Sequence, residues 1–273
     1  MANSTDITLI LPAYNERGSI QTTIDSCIAY FQKKNLVYEI IVSADGEDGT
    51  RELVREMARS NDRIRVIGRP ERSGKGRGVR EAVLMSRGRI IGYADADNKV
   101  DISELDQLAP HLKAGYDLVF GSRALSHSKI ERKQPWYRRI GSRGFALFMH
   151  GAVGLNGIRD TQCGFKFFTR STALAIFEAQ RIDGYMFDVE VLSLAVDMGL
   201  RLKEVPIRWR DDGDSRLDLI SGNIRNVADV LAIRRSRKSR PDAVPTSSMA
   251  AKAASQSGYS DVDACAVVEE PRG

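Results

Sequence analysis

Cysteine and histidine are scarce in this 273-residue chain, which contains only three of each. Cys27, Cys163 and Cys265 are widely separated, and no Cys-x-x-Cys pair occurs. An odd number of isolated cysteines argues against both a disulfide framework and a structural zinc site. We therefore expect a reducing, cytoplasmic compartment, with Cys163 acting as a small packing residue.

Long apolar runs and leader patterns are also missing from the sequence. No stretch of about 18 apolar residues occurs, so we expect no transmembrane helix. The chain passes from Met1 into an apolar strand pattern without a charged leader, so we expect no signal peptide. It also lacks an aromatic-plus-basic RNA-binding signature and a recognition-helix pattern, which argues against nucleic acid as a partner.

The residues that are abundant indicate a globular domain with a mildly basic surface. Hydrophobic residues make up 42% of the chain and charged residues 28%, which is enough apolar material for a full core. The formal net charge is +5, which suits a phosphate-rich substrate or an anionic membrane surface.

Short β-rich runs alternate with helical patterns in the first half of the chain. This alternation predicts an α/β fold with a mostly parallel central sheet and helices on both faces. The predicted strands are Ile7–Leu11, Glu39–Ser43, Ile64–Gly68, Ile90–Ala94 and Leu118–Gly121, and the predicted helices cover about 17–34, 49–60, 76–87 and 103–113.

Polar or glycine-rich residues follow each of these strands. The carboxyl ends of parallel strands meet at one edge of a sheet, so the five loops should converge and form a nucleotide-type crevice there. The loops are residues 12–16, 45–50, 69–78, 95–98 and 122–123.

The second half is less regular. An apolar run within 135–157, with arginines at its head, predicts a helix that lies either on a membrane surface or in the core. Further patterns predict helices near 171–179 and 187–199, an edge strand at Leu202–Trp209 and an amphipathic segment at 217–235. We expect one domain over 1–237, with a nucleotide-binding half (1–125) and a less regular half (126–237), followed by a disordered tail (238–273).

Two carboxylates follow the apolar strand Ile90–Ala94 in the segment Asp95-Ala-Asp97. Side chains alternate along a strand, so both should project in the same direction from its carboxyl end. Two adjacent carboxylates favour a divalent cation between them, such as one that carries a diphosphate. A turn with two solvated aspartates is the alternative.

Seven motifs over about residues 7–235 resemble, in their order and spacing, those of the family 2 glycosyltransferases. The resemblance is strongest to the dolichyl- and polyprenyl-phosphate sugar transferases. The motifs are Leu11-Pro-Ala-Tyr-Asn-Glu16, Gly74-Lys-Gly-Arg-Gly-Val-Arg80, Ala94-Asp-Ala-Asp97, Gly121-Ser-Arg123, Asp160-Thr-Gln-Cys-Gly-Phe-Lys-Phe-Phe-Thr-Arg170, Phe187-Asp-Val-Glu190 and Trp209–Arg216.

The resemblance implies a GT-A-type nucleotide-sugar-binding fold and a metal-dependent, inverting transfer with Mg²⁺ or Mn²⁺ as cofactor. A hexose would move from a nucleoside diphosphate sugar, UDP-glucose before GDP-mannose, to an isoprenoid lipid phosphate. We expect a peripheral protein on the cytoplasmic face of a membrane.

The donor side begins with the loop after the first strand. Pro12 is expected to end that strand, Tyr14 offers a ring for the nucleobase, and Glu16 accepts from the base or ribose. The alternative for Glu16 is an acidic residue that favours the first turn of a helix. Lys75 and Arg80 flank a glycine-rich turn and would balance the diphosphate charge, although a basic turn alone is also consistent with them.

The resemblance separates the roles of the two aspartates. It makes Asp97 the metal ligand and a catalytic residue, and makes Asp95 a nucleotide contact that also lies at the metal. One departure concerns the second strand, where Ser43 and Ala44 occupy the positions of the family's usual aspartate pair. Either Asp45 reaches the nucleotide from a shifted turn, or base recognition differs.

The acceptor side has several cations at positions that the family uses for the lipid phosphate. The resemblance assigns Arg123, Arg138, Ser142 and Arg143 to this group, with Arg123 also catalytic. A phosphate acceptor is already an anion and needs positioning more than a general base. A solvated basic face remains the alternative for the arginines near 138–143.

The last motifs complete the predicted site. Asp160 and Gln162 order a loop around the sugar, and Lys166 either faces phosphate or pairs with a carboxylate. Asp188 and Glu190 are catalytic candidates that do not share a helix face, so one should address the reaction centre while the other caps or pairs.

A mobile flap over the diphosphate is predicted from Arg208, Arg210 and Arg216. Nearby carboxylates (Asp211, Asp212 and Asp214) leave a solvated loop as an alternative. Three other functions remain open: transfer to a soluble or polysaccharide acceptor with Asp188 or Glu190 as the base, a non-catalytic nucleotide-sugar-binding module, and a nucleotidyltransferase. The last is weakened because no glycine-rich signature follows the first strand.

Overall fold

The computed structural model describes residues 4–130, 153–155, 157–210 and 221–238. Seven of the strands in these residues form one sheet. They are β1 (Ile7–Tyr14), β2 (Tyr38–Asp45), β3 (Ile64–Ile67), β4 (Ile90–Ala94), β5 (Leu118–Ser122), β7 (Phe165–Thr169) and β8 (Leu202–Pro206), while β6 (Lys129–Ile130) and β9 (Arg208–Trp209) form a small second sheet.

The large sheet has the strand order β3-β2-β1-β4-β7-β5-β8. Only β7 is antiparallel to its neighbours, β4 and β5. The other pairs are parallel, which confirms the predicted mostly parallel sheet. The carboxyl ends of the parallel strands and the amino end of β7 therefore lie along one edge, which we call the carboxyl edge.

Helices cover both faces of this sheet, as predicted. They are α1 (Ile20–Lys33), α2 (Thr50–Ser60), α3 (Lys75–Leu84), α4 (Leu105–Lys113), α5 (Arg170–Ala179), α6 (Phe187–Asp197) and α7 (Ser221–Lys238). Ile10 and Ile41 pack in one cluster with residues of α3, α5, α6 and α7. Leu9 and Leu11 pack in another with residues of α1, α2 and α4, so alternation along β1 separates two cores.

The first two strands extend further than predicted, to Tyr14 and Asp45. Pro12 therefore lies inside β1, and the expectation that it ends the strand is wrong. The pairing of β1 with β4 stops at Ile10, while its pairing with β2 continues past Pro12. A strand with one neighbour tolerates a proline, because one of its sides needs no ladder hydrogen bond.

The sequence analysis did not predict β7, which occupies the middle of the sheet. Its residues Phe165–Thr169 are almost all buried, and they include Lys166 with a fully buried side chain. A lysine interrupts the apolar pattern that identifies buried strands. The charge is balanced by the carboxylate of Asp188, 22 residues further along the chain, which a local pattern does not reveal.

The C-terminal part agrees in outline with the prediction. The expected edge strand is β8, which pairs only with β5, and it continues into β9 of the small sheet. In the part of the chain that the structure describes, no helix combines the length and apolar character needed to cross a membrane. The described residues do not include most of the apolar run predicted within 135–157 (135–152 and 156), the segment 211–220 or the tail beyond Lys238.

Candidate active site at the carboxyl edge

Lys75 and Asp95 form the centre of the site. Lys75 begins α3, and its Nζ lies 2.6 Å from Oδ1 of Asp95, just beyond β4. It also lies 4.0 Å from Oδ2 of Asp188. Burial lowers the pKa of Lys75, but the two carboxylates outweigh burial and raise it overall. The lysine is therefore a fixed cation at the place where a diphosphate is expected.

Asp97 lies in a turn rather than on the strand. Because β4 ends at Ala94, the predicted alternation along a strand does not govern the direction of Asp97. The side chain contacts Lys99 twice: the backbone N–H of Lys99 donates to Oδ1 at 3.2 Å, and its ammonium lies 3.0 Å from Oδ2.

The chemistry of Asp95 and Asp97 fits a hard divalent cation. Both are carboxylates, their side chains are 42% and 32% exposed, and each already holds one lysine ammonium. Within the described residues no group of three or more metal-binding side chains occurs. Asp95 and Asp97 would supply carboxylate oxygens of the kind that Mg²⁺ binds.

An arginine lies between two exposed tyrosines beside this centre. The guanidinium of Arg72 lies 4.5 Å from the ring centroid of Tyr14 and 5.7 Å from that of Tyr185, to whose hydroxyl it donates at 2.9 Å. Tyr14 ends β1 and is 39% exposed, so its ring is accessible at the carboxyl edge.

The loop that carries Glu16 is fixed to the Asp48-Gly-Thr50 turn. The backbone N–H of Glu16 donates to the hydroxyl of Thr50, and that of Arg17 donates to Asp48. Burial raises the pKa of Asp48, but hydrogen bonds from Thr50 and Arg17 lower it overall. The Glu16 carboxylate accepts from Ser19 at 2.9 Å, at the start of α1. This contact is consistent with the alternative that Glu16 favours the first turn of a helix. The role of Glu16 at the nucleotide stays a prediction.

Asp45 faces the loop between β3 and α3. Its carboxylate accepts from the backbone N–H groups of Arg69 and Ser73, and from the Ser73 hydroxyl at 2.6 Å. Ser43 and Ala44 are buried in β2, whose pairing with β1 continues in register to Asp45. Asp45 therefore orders a neighbouring loop in this structure, and its contact with the nucleotide stays a prediction.

Arg80 and Glu190 both hold the loop between α5 and α6. Arg80 donates to Gln180 at 3.0 Å and to Asp183 at 2.7 Å. The Glu190 carboxylate accepts from the backbone N–H groups of Arg181 and Ile182. Glu190 thus has the capping role foreseen for one of the two α6 carboxylates. The predicted diphosphate contact of Arg80 and catalytic role of Glu190 stay predictions.

Asp188 and Lys166 form a buried pair below the carboxyl edge. Oδ1 of Asp188 accepts from the Tyr93 hydroxyl and from Nζ of Lys166, both at 2.6 Å. The same ammonium donates to the carbonyl oxygens of Thr161 and Cys163, which fills its three donor positions. Lys166 therefore pairs with a carboxylate, the second of its two predicted roles, and holds the loop that follows Asp160.

Arg123 forms a bidentate ion pair with Asp160 at the end of β5. Nε and Nη2 of Arg123 donate to the two carboxylate oxygens at 2.8 and 2.9 Å. Burial raises the pKa of Asp160, but Arg123 outweighs burial and lowers it overall. The guanidinium also lies 5.7 Å from the ring centroid of Trp209. Arg123 is therefore held in one orientation while a third of its side chain stays exposed.

The loop from Asp160 to Gly164 brings the two sides of the site together. A Cβ on Gly164 would lie 2.3 Å from Oδ2 of Asp95, so only glycine allows this approach. The backbone N–H of Gln162 donates to Asp160. Burial, and to a smaller extent the charge of Asp160, raises the pKa of Cys163 to about 12. Its thiol therefore stays protonated, in keeping with a packing role.

Arg208 marks the start of the predicted flap. Its Nε donates to Oε1 of the buried Glu104 at 2.7 Å, while its side chain is 60% exposed. Arg138, Ser142 and Arg143 of the predicted acceptor group, and Arg216 of the flap, lie outside the described residues.

Sequence reasoning missed four residues of this site: Tyr93, Lys99, Gly164 and Arg72. Lys99 could have been found, because a cation two residues after Asp97 is a local signal. Tyr93 lies in an apolar strand and Gly164 in a loop, and their partners Asp188 and Asp95 are distant along the chain. No pattern in the sequence links such positions.

Comparisons with known proteins identify the family of the chain. Residues 8–177 match the family described as glycosyl transferase family 2. The chain is 35% identical over 237 residues to a dolichyl-phosphate beta-glucosyltransferase of Trichomonas vaginalis, covering 83% of this chain and 70% of that protein. It is 34% identical over 229 residues to the dolichyl-phosphate beta-glucosyltransferase of Drosophila melanogaster, covering 78% of this chain and 70% of that protein.

Solved structures with the same fold are less similar in sequence. Glucosyl-3-phosphoglycerate synthase from Mycobacterium tuberculosis, determined with Mn²⁺ and UDP-glucose, aligns with a TM-score of 0.60 and 21% identity over 88% of this chain and 81% of that one. Mannosyl-3-phosphoglycerate synthase from Rubrobacter xylanophilus aligns with a TM-score of 0.56 and 18% identity, over 89% of this chain and 79% of that one. These neighbours are GT-A glycosyltransferases, which confirms the predicted fold class. The chain is a glycosyltransferase and belongs to glycosyl transferase family 2.

Proposed function

We propose that this protein transfers a hexose, with inversion, from a nucleoside diphosphate sugar to a dolichyl or polyprenyl phosphate. The activity for which these relatives are named supports the acceptor class. The observation that carries the proposal is the contact of the Asp160 loop with Asp95. It brings Arg123, on the acceptor side, close to the Lys75–Asp95 pair on the donor side.

The donor occupies the carboxyl edge near β1 and β4. Tyr14 stacks on the base, Lys75 pairs with the diphosphate, and Asp95 contacts the nucleotide. UDP-glucose is the first choice of donor and GDP-mannose the second. Because Ser43 and Ala44 are buried and Asp45 is engaged by the next loop, the base is recognised without an aspartate pair on β2.

Asp97, with Asp95 beside it, holds the divalent cation. A bound Mg²⁺ or Mn²⁺ would supply Lewis-acid stabilisation of the charge on the departing nucleoside diphosphate. Lys75 adds a second positive charge. Its ammonium stays protonated because the neighbouring carboxylates raise its pKa. The chain's own residues thus contribute binding, orientation and charge neutralisation.

The acceptor phosphate needs a cationic cradle. Arg123, fixed by Asp160, is the described member of that cradle, and Arg138, Ser142 and Arg143 are its other proposed members. The acceptor oxygen is already anionic at neutral pH, so in-line attack on the anomeric carbon needs no proton removal. Inversion follows because no covalent intermediate forms.

The described carboxylates favour this acceptor over a soluble hydroxyl. An alcohol acceptor would need a general base, and Asp188 and Glu190 were the candidates. Both are less than 5% exposed and accept hydrogen bonds from other protein groups. A base must reach the proton that it removes, which this environment disfavours.

Contact with a membrane surface belongs to the same proposal. Val227 and Leu231 are one helical turn apart on α7, and they are 41% and 42% exposed. Arg234, three residues further on, is also exposed, while Val230 and Ile233 are buried in the core with α6 residues. An exposed apolar stripe with a cation beside it suits an anionic lipid surface.

The test is a donor screen that measures nucleotide release with polyprenyl phosphate present or omitted. We expect release to depend on the lipid phosphate and to be fastest with UDP-glucose. Equal release without the lipid would contradict the acceptor assignment, and a soluble sugar acceptor that supports turnover would establish the alternative. No release with any donor or acceptor would favour a non-catalytic binding module.

A further inference from the structure

Each carboxylate of the Asp95-Ala-Asp97 turn is paired with its own lysine. Lys75 is 2.6 Å from Asp95, and Lys99 is 3.0 Å from Asp97. Both lysine side chains are only 18% exposed, so water screens these pairs less than it screens ordinary surface ion pairs. The expected metal position is thus already neutralised by two ammonium groups of the chain itself.

The two lysines differ in how each is held beside its aspartate. Lys75 starts α3 and has Asp188 as a second carboxylate at 4.0 Å, so it keeps an anionic neighbour if Asp95 changes partner. Lys99 lies two residues from Asp97, and its backbone N–H donates to the same carboxylate that its ammonium contacts. Its charge is therefore tied to the turn that carries Asp97.

We propose that Lys99 is a resident counterion that weakens the binding of a divalent cation to Asp97 when no nucleotide is bound. This inference rests on the proposed metal role of Asp97. A cation that contacts Asp97 meets a like charge within the same turn, which costs binding free energy in a partly desolvated site. The protein therefore holds the bare metal weakly and takes it up together with the anionic diphosphate, whose charge offsets that of the ammonium.

Coupling between metal and nucleotide follows from this arrangement. If the diphosphate offsets the repulsion, the nucleotide raises the affinity for the metal, and the metal raises the affinity for the nucleotide by the same factor. Removal of the Lys99 charge should make that factor smaller, because the nucleotide-free protein then no longer penalises binding of the bare cation.

The test is Mn²⁺ binding to the nucleotide-free protein, measured by the loss of the free-ion electron paramagnetic resonance signal. Lys99→Met keeps the aliphatic stem and removes the charge, and we expect it to bind Mn²⁺ about tenfold more tightly, or 1.4 kcal/mol. Lys99→Arg keeps the charge and should bind like the wild type. Lys33→Met removes an exposed charge at the end of α1, as a matched control, and should have no effect.

The same titration separates this inference from the function on which it rests. Asp97→Asn should weaken Mn²⁺ binding, and if it leaves binding unchanged, the assignment of the metal to Asp97 fails. If Asp97→Asn weakens binding but Lys99→Met does not tighten it, only the role of Lys99 is overturned. Tighter binding by Lys99→Arg would also overturn it, because the charge would then not be the cause. Matching circular dichroism spectra establish that each variant is folded.

Discussion

At the scale of single residues, Asp188 and Glu190 have different environments although they are two positions apart on α6. Glu190 caps the backbone of the loop after α5, while Asp188 joins Tyr93 and Lys166 in a buried network next to Lys75. Burial, and then the Asp188 carboxylate, raises the pKa of Tyr93 well above its ordinary value, so its phenol stays a donor. Asp188 thus contacts both Lys166 and Lys75, and its predicted catalytic role stays a prediction.

Gly164→Ala should impair turnover without unfolding the protein. The added Cβ would meet the end of the Asp95 side chain at 2.3 Å, and that side chain can move, so the cost in stability is small. A displaced Asp95 no longer aligns the donor, and we expect kcat/KM to fall by about a hundredfold. Steady-state kinetics measure the loss in kcat/KM, and a thermal melt measures the change in stability.

Gly18→Ala is the matched control, because a Cβ there has no neighbour within 4 Å. It should leave both kcat/KM and melting temperature unchanged. Near-normal turnover by Gly164→Ala would mean that the position of Asp95 matters little.

The Arg123–Asp160 pair should make the stability of the protein depend on pH in the acid range. The folded-state pKa of Asp160 is lowered, so the stabilisation is present above its unfolded value, about 3.9, and is lost as pH falls through the folded value. The difference in free energy of unfolding between the wild type and Asp160→Asn should therefore shrink as pH falls below about 4. Urea titrations from pH 7 to pH 3 measure it, and a constant difference would contradict the pairing.

At the scale of elements, the sequence predicted the strands that are mostly apolar. The bounds of β4 were correct, and those of β2 and β5 were short by one to two residues. β7 was missed because Lys166 lies in it, and the partners of that lysine come from α6 and from the loop after Asp160. A buried charge needs an ion partner such as Asp188, which lies on another element and is not part of a local pattern.

The helix α7 gives a prediction about membrane contact. Val227→Gln combined with Leu231→Gln should weaken binding to vesicles that contain phosphatidylglycerol about tenfold, since two half-exposed apolar side chains are removed from the proposed contact. Sedimentation with vesicles measures the change. Leu84→Gln is the control, because Leu84 is similarly exposed, at 47%, but lies on α3. An equal loss for the control would exclude a specific role of α7.

At the scale of the whole molecule, the carboxyl edge gathers residues from both halves of the chain. β7 and β8 of the second half lie in the same sheet as β1 to β4, so the loop after Asp160 comes next to Asp95, and Lys166 shares the Asp188 carboxylate with Lys75. The order of the motifs predicted that these residues belong to one site. It did not predict their partners, because hydrogen bonding such as that of Arg80 with Gln180 depends on how two loops pack.

The formation of a labelled lipid product tests the account most directly. Purified protein is incubated with radiolabelled UDP-glucose, Mn²⁺ and dolichyl phosphate in detergent micelles, and the organic phase is counted. We predict a glucosyl lipid phosphate with the β configuration, formed by the wild type and reduced at least about a hundredfold in Asp97→Asn. Wild-type product with retained configuration, or equal product from Asp97→Asn, would contradict the account.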